Sequence, residues 1–177
     1  MRSGAVMEAL WECFRSGSER SGFSVCEFSI QADHLHLIVE ATGREILSRG
    51  MQGLAVRIAR TLNRLWQRGG PVFGDRYHDR VLRSPREVRN ALVYVLHNNR
   101  KHERHQPCPP TAPNIDPFSS APWFDGWKEP AHGPIRASPI HPRPTPPPRT
   151  WLLGGGWRRA RPGRARSAGG GRGARRR

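Results

Sequence analysis

The chain has 177 residues, enough for one domain of ordinary size, but its 19 glycines and 17 prolines are spread so unevenly that the packed unit must be shorter than the whole. Net charge is +16, divided as +6 through residue 105 and +10 beyond it, and the pI near 11.6 favours a polyanionic partner, because each Lys or Arg that neutralises a phosphate releases condensed counterions. No run approaches the 18 or so apolar residues of a membrane span, residues 1–18 lack an apolar signal core, and three cysteines without a CxxC pair indicate neither a disulfide framework nor a thiolate zinc site. The expectation is a soluble, cytoplasmic, nucleoid-associated protein.

From Ala5 to Arg15, Met7, Leu10 and Phe14 recur at helical spacing until a Ser-Gly-Ser stretch breaks the pattern. The runs 23–30 and 34–40 are rich in β-formers and flank the polar turn Gln31-Ala-Asp33, which predicts an antiparallel hairpin. Next, Leu47, Met51, Leu54, Ile58, Leu62 and Leu65 step by three and four up to the Gly69-Gly-Pro71 break, predicting a long amphipathic helix. Arg57, Arg60, Arg64 and Arg68 keep the same rhythm on another face, a stripe that suits phosphates and equally suits a merely solvated surface. Ser84-Pro-Arg-Glu87 has the pattern of a capping box with proline at the first helical position, so a helix is expected from there to about Asn99, with Val88, Leu92 and Leu96 buried.

After Arg104 the composition shifts to Pro, Gly, Ser and Arg, predicting a segment that is disordered or loosely docked. Two islands, Trp123 to Trp127 and Trp151 to Trp157, are too apolar for a pure linker and are expected to clamp onto the core. Residues 158–177 hold nine arginines and no acid, which reads as a flexible phosphate-binding arm. The organisation expected is a domain over 1–105, a Pro-rich segment with tryptophan islands over 106–157, and a disordered Arg/Gly-rich tail over 158–177.

Two places carry residues suited to chemistry. His34 and His36 are two apart on a predicted strand, so both imidazoles leave one face of the sheet while Leu35, Leu37 and Val39 pack on the other. That is half of a metal site, but taken alone the motif reads more readily as a surface or hydrogen-bonded histidine pair. On the capped helix, Asn90, Tyr94 and Asn98 are spaced by four and share a face. Tyr94 reads either as a core-edge tyrosine or, with an asparagine carbonyl one turn on, as a phenol beside a hard cation.

The segment Asp33-His-Leu-His-Leu-Ile-Val39 resembles the HUH strand (histidine, bulky hydrophobic, histidine) of single-tyrosine transposases of the insertion-sequence-200 type, among them the REP-associated tyrosine transposases. The segments 72–78, with Phe-x-x-Arg-Tyr, and 88–102, with Tyr-x-x-x-Asn, look like the same family's approach to the nucleophile helix and that helix itself. The resemblance covers about residues 5–105. It implies an α+β fold: a ferredoxin-like antiparallel sheet with helices on one side, here apparently lacking the first strand, since the chain starts almost at the first helix. It further implies a metal-dependent enzyme that cuts and joins single-stranded or hairpin DNA. Tyr94 would be the nucleophile, and His34, His36 and Asn98 would hold Mg²⁺ or Mn²⁺. Arg57, Arg60, Arg64, Arg68, Arg76, Arg89, Arg100 and Lys101 would contact DNA, and Tyr77 would be structural or a DNA contact. A homodimer is compatible with the pattern. The alternative is a decayed or domesticated transposase that only binds nucleic acid. The missing strand itself has three readings: a late start, a decayed copy, or a sheet edge covered by a dimer partner or by the tail.

Overall fold

A computed structural model describes residues 1–17, 22–97, 115–127 and 142–160. The elements follow as α1 (Gly4–Gly17), β1 (Phe23–Ile30), β2 (Leu35–Ala41), α2 (Arg44–Leu65) and α3 (Pro85–Leu96), then a 3-10 turn at Ala121–Trp123, a short helix α4 (Trp151–Gly154) and a last 3-10 turn at Gly156–Arg159. The α1-β1-β2-α2 run is the inner part of a ferredoxin-like order, and the class is α+β. Among the described residues the sheet has two antiparallel strands.

The first core fills the face of the sheet under α1 and α2. Leu10 and Phe14 of α1 and Leu54, Ile58 and Leu62 of α2 close over Phe23, Val25, Phe28 and Ile30 of β1, while Leu35, Leu37 and Val39 of β2 pack in from the side. Phe14 and Phe28 meet at 4.8 Å between ring centroids. Burying each such ring is worth roughly 1.5–3 kcal/mol, so this core carries much of the fold. Helix α2 approaches β1 closely because Gly50 has no Cβ; one placed there would lie 2.4 Å from the Phe23 ring.

The pairing register slips between Val25 and Glu27, where Cys26 is an extra residue on β1. This bulge lets Val25 and Phe28, three apart, face the same core, and it turns Cys26 and Glu27 to the opposite face. There α3 lays down Val88, Leu92, Val95 and Leu96 against Cys26 and Ile38, with Leu153 and Trp157 completing a second core. The expectation of helices on one side therefore holds for α1 and α2 but not for α3. The reason is its apolar stripe, which needs Ile38, and Ile38 shares the His36 side of β2. Helix α3 starts with the expected capping box: the Ser84 hydroxyl accepts from the Glu87 N–H at 3.3 Å and the Glu87 carboxylate accepts from the Ser84 N–H at 3.1 Å. A further N–H, from Arg83 at 2.8 Å, holds the Glu87 carboxyl below the usual carboxylate range.

The outer edge of β1 is covered by the chain's own later residues. Phe118 O accepts from Ile30 N–H at 2.8 Å, Ser29 and Ser119 form a bridge, and the Ser120 N–H donates to Phe28 O at 2.9 Å. Further along, the Thr145 hydroxyl and the Arg143 guanidinium both donate to Cys26 O. The segment 115–127 wraps around the edge, with Trp123 against Trp11 in the first core and Phe124 and Trp127 in the second. Two ion pairs fasten this wrap, Arg2 to the buried Asp116 at 2.7 Å and Arg143 to the buried Glu27 at 2.7 Å. Both tryptophan islands are thus part of the folded unit. The edge protection that a lone hairpin lacks is supplied in cis.

Candidate functional site

Strand β2 and helix α3 bring three of the sequence-predicted residues together. The alternation of β2 sends Leu35, Leu37 and Val39 into the first core and leaves His36 on the α3 face. His34 lies just before the strand. Its Nε2 stands 3.0 Å from Nε2 of His36, the two rings meeting edge to face with centroids 4.6 Å apart. From α3, the Tyr94 ring packs on His36 at 4.9 Å between centroids, and its hydroxyl lies 3.5 Å from the same Nε2, the outer limit of a hydrogen bond. Val93 and Tyr94 are the exposed pair between the buried Leu92 and Val95, so helical geometry turns the tyrosine outward over the histidines.

Asp33 belongs to this group, and the sequence reading gave it no role. Its Oδ1 is 2.7 Å from His34 Nδ1. An ionised carboxylate only accepts, so Nδ1 carries the proton, and a neutral His34 then presents a bare Nε2 lone pair toward His36. The signal was an acid immediately before the first histidine. Among the described residues no group of three or more His, Cys, Asp and Glu converges as a complete metal cage. The donor set fits a divalent ion as an open half-site. Neighbouring ligands at about 2.1 Å from an octahedral ion stand about 3 Å apart, and the two Nε2 atoms have that separation. Asn98, the predicted third ligand, lies outside the described residues, as do Arg100 and Lys101.

The remaining predicted cations are dispersed. Arg60 and Arg64 are exposed on α2 and Arg68 just beyond its end, with Arg57 partly covered, and α2 lies on the sheet face opposite the histidine pair. Arg76 stacks over Tyr77 at 5.9 Å in the connection before α3, and Arg89 is half-buried on α3. The arginines of 161–177 lie outside the described residues. Cys13 and Cys26 are free and buried, and burial pushes the Cys26 thiol up to about 12, which makes it a packing group and not a nucleophile.

The paired imidazoles and the helix-borne tyrosine that faces them lie on a basic α+β domain. Residues 1–81 match the family model described as "Transposase IS200 like". The likeness to the IS200-like transposases covers this segment, a little under half of the chain. No curated protein and no solved structure matches the chain. The matched segment includes His34 and His36 and ends before α3, so Tyr94 stands on its own geometry and on the motif around it. No helix among the described residues is long and apolar enough to cross a membrane.

Proposed function

We propose that this protein is a transposase that cuts one strand of single-stranded or hairpin DNA with Tyr94 and rejoins it elsewhere. The observation that supports this reading is the contact between the Tyr94 hydroxyl and the His34–His36 pair. In the step proposed, Tyr94 Oη attacks the scissile phosphorus in line, a phosphorus–oxygen bond forms to the phenol, and the bond from phosphorus to the 3′-oxygen breaks. The products are a 5′-phosphotyrosine link and a 3′-hydroxyl, and because the phosphoester energy is conserved, that hydroxyl or another can reverse the attack without ATP. The phenolic proton passes to water, which reaches the half-exposed ring. Asp33 holds His34 in the tautomer whose Nε2 lone pair can ligate a cation. When bound at His34 and His36, with Asn98 as the third ligand, Mg²⁺ or Mn²⁺ supplies charge stabilisation at the phosphate. DNA on either side is held by the arginines of α2, by Arg76, Arg89, Arg100 and Lys101, and by the basic tail.

Replacing His34 and His36 together by Ala is the test. Titration calorimetry with Mn²⁺ is expected to show binding to the unaltered protein and none to the variant, and the covalent DNA adduct is expected to vanish with it. Both side chains are at least partly exposed, so the melting temperature should hardly move. Equal Mn²⁺ binding by the variant would remove the metal from this site. A well-folded wild-type protein that binds hairpin DNA yet forms no adduct with any divalent metal would mark a binding protein instead.

A further inference from the structure

We propose that Trp151 is a base-stacking subsite for single-stranded DNA, set on the histidine face of the domain by Glu40. This inference rests on the nucleic-acid reading above and adds to it a specific contact for bases. Trp151 is 58% exposed, the most exposed tryptophan among the described residues, in a chain whose other described tryptophans largely pack inward. An exposed indole normally swings with its loop. Here the backbone on its N-terminal side is pinned: the Glu40 carboxylate accepts from the Arg149 N–H at 2.7 Å, the Thr150 N–H at 2.9 Å and the Thr150 hydroxyl at 2.6 Å. On the C-terminal side, Trp151 O accepts from the Gly155 N–H at 3.1 Å, and the absence of a side chain at Gly156 lets the backbone lie against the ring, where a Cβ would come within 2.7 Å of it. The indole is a supported shelf.

Its surroundings select a polyanion. Arg149 and Arg159 are exposed on either side of it in sequence, with the Arg159 guanidinium 5.7 Å from the ring centroid, and residues 149–177 contain ten arginines and no acid. Stacking needs an unpaired base, and every base offers a π-face, so the ligand class is single-stranded DNA of any sequence. Position connects the shelf to the candidate site. Glu40 is four residues beyond His36 on the same strand and on the same face, a separation of about 13 Å at the rise of an extended chain. A strand stacked on Trp151 is therefore held a few nucleotides from Tyr94.

The experiment measures anisotropy of a labelled oligothymidylate across a salt series, with chelator present so that binding is read apart from cleavage. Trp151→Ala is expected to weaken binding at least about fivefold while leaving the slope against salt unchanged, because the slope counts phosphate contacts and the indole makes none. Trp151→Phe should recover most of the loss, whereas Trp151→Leu, which refills the space over Gly156 without a π-face, should not. Binding by Trp151→Leu equal to wild type would overturn the proposal, as would an equal loss on duplex DNA, where bases are already stacked. Failure of the unaltered protein to bind the oligonucleotide at low salt would overturn the nucleic-acid reading itself, an outcome distinct from intact binding that ignores residue 151.

Discussion

Tyr94→Phe is expected to abolish the covalent protein–DNA adduct while leaving DNA binding and stability nearly unchanged. The substitution removes one oxygen and keeps the ring that packs on His36. Tyr94 is 46% exposed and its hydroxyl lies 3.5 Å from His36 Nε2, a long contact whose loss costs little folding energy. The loss of the adduct should be complete and not graded, since a phenyl ring has no nucleophilic atom. The measurement is denaturing electrophoresis after incubation with Mn²⁺ and a labelled hairpin oligonucleotide. An adduct formed by the Phe variant at the wild-type level would transfer the role to Tyr77, the only other tyrosine in the chain.

Arg143→Ala should be strongly damaging although it lies away from the site, at about 3 kcal/mol near neutral pH. Glu27 is 2% exposed, and Arg143 Nη2 is 2.7 Å from its Oε1. Removing the guanidinium leaves a buried charge unpaired and also takes a donor from Cys26 O. Burial already pushes the Glu27 carboxyl above its ordinary value of 4.5, with Arg143 opposing that rise. A folded-state value raised above the unfolded one favours the protonated form, so its contribution is full at low pH and is lost as pH rises through the folded value. Without Arg143 the folded value climbs further. The penalty should accordingly be largest at pH 7 and shrink as pH falls toward 4.5, which urea unfolding at several pH values would reveal. A penalty independent of pH would show that the ion pair is not its source, and Glu27→Gln combined with Arg143→Ala should restore most of the loss.

What could be read from the residues was whatever short-range chemistry decides. The capping box at Ser84 and Glu87, the hydrophobic stripe of α2 and the alternation from Leu35 to Val39 each depend on neighbours within a turn or a strand, and each stands where the pattern put it except at Leu65, which the end of α2 leaves exposed. The pairing of His34 with His36 followed from the same alternation. Illegible features were those set by distant partners. Nothing local signals that Cys26 is an extra residue in the ladder, and without that bulge Glu27 would have been assigned to the opposite face. The placement of α3 against Ile38, and with it the meeting of Tyr94 and His36, is a contact between residues 58 apart in sequence. The apolar content of the tryptophan islands predicted that they dock, but the edge they cover is specified by serine and backbone hydrogen bonds from Ser119 and Ser120 to Ser29 and Phe28, which no periodicity announces.

The covalent linkage itself offers the most direct test of the central claim. After reaction with a hairpin oligonucleotide and Mn²⁺, the protein is digested with nuclease and protease, and the peptide that retains a nucleotide is sequenced by mass spectrometry. A 5′-phosphodiester remnant is expected on the peptide containing Tyr94, absent when chelator is added. A remnant on Tyr77 or on any serine, or a linkage formed equally well in chelator, would contradict that claim.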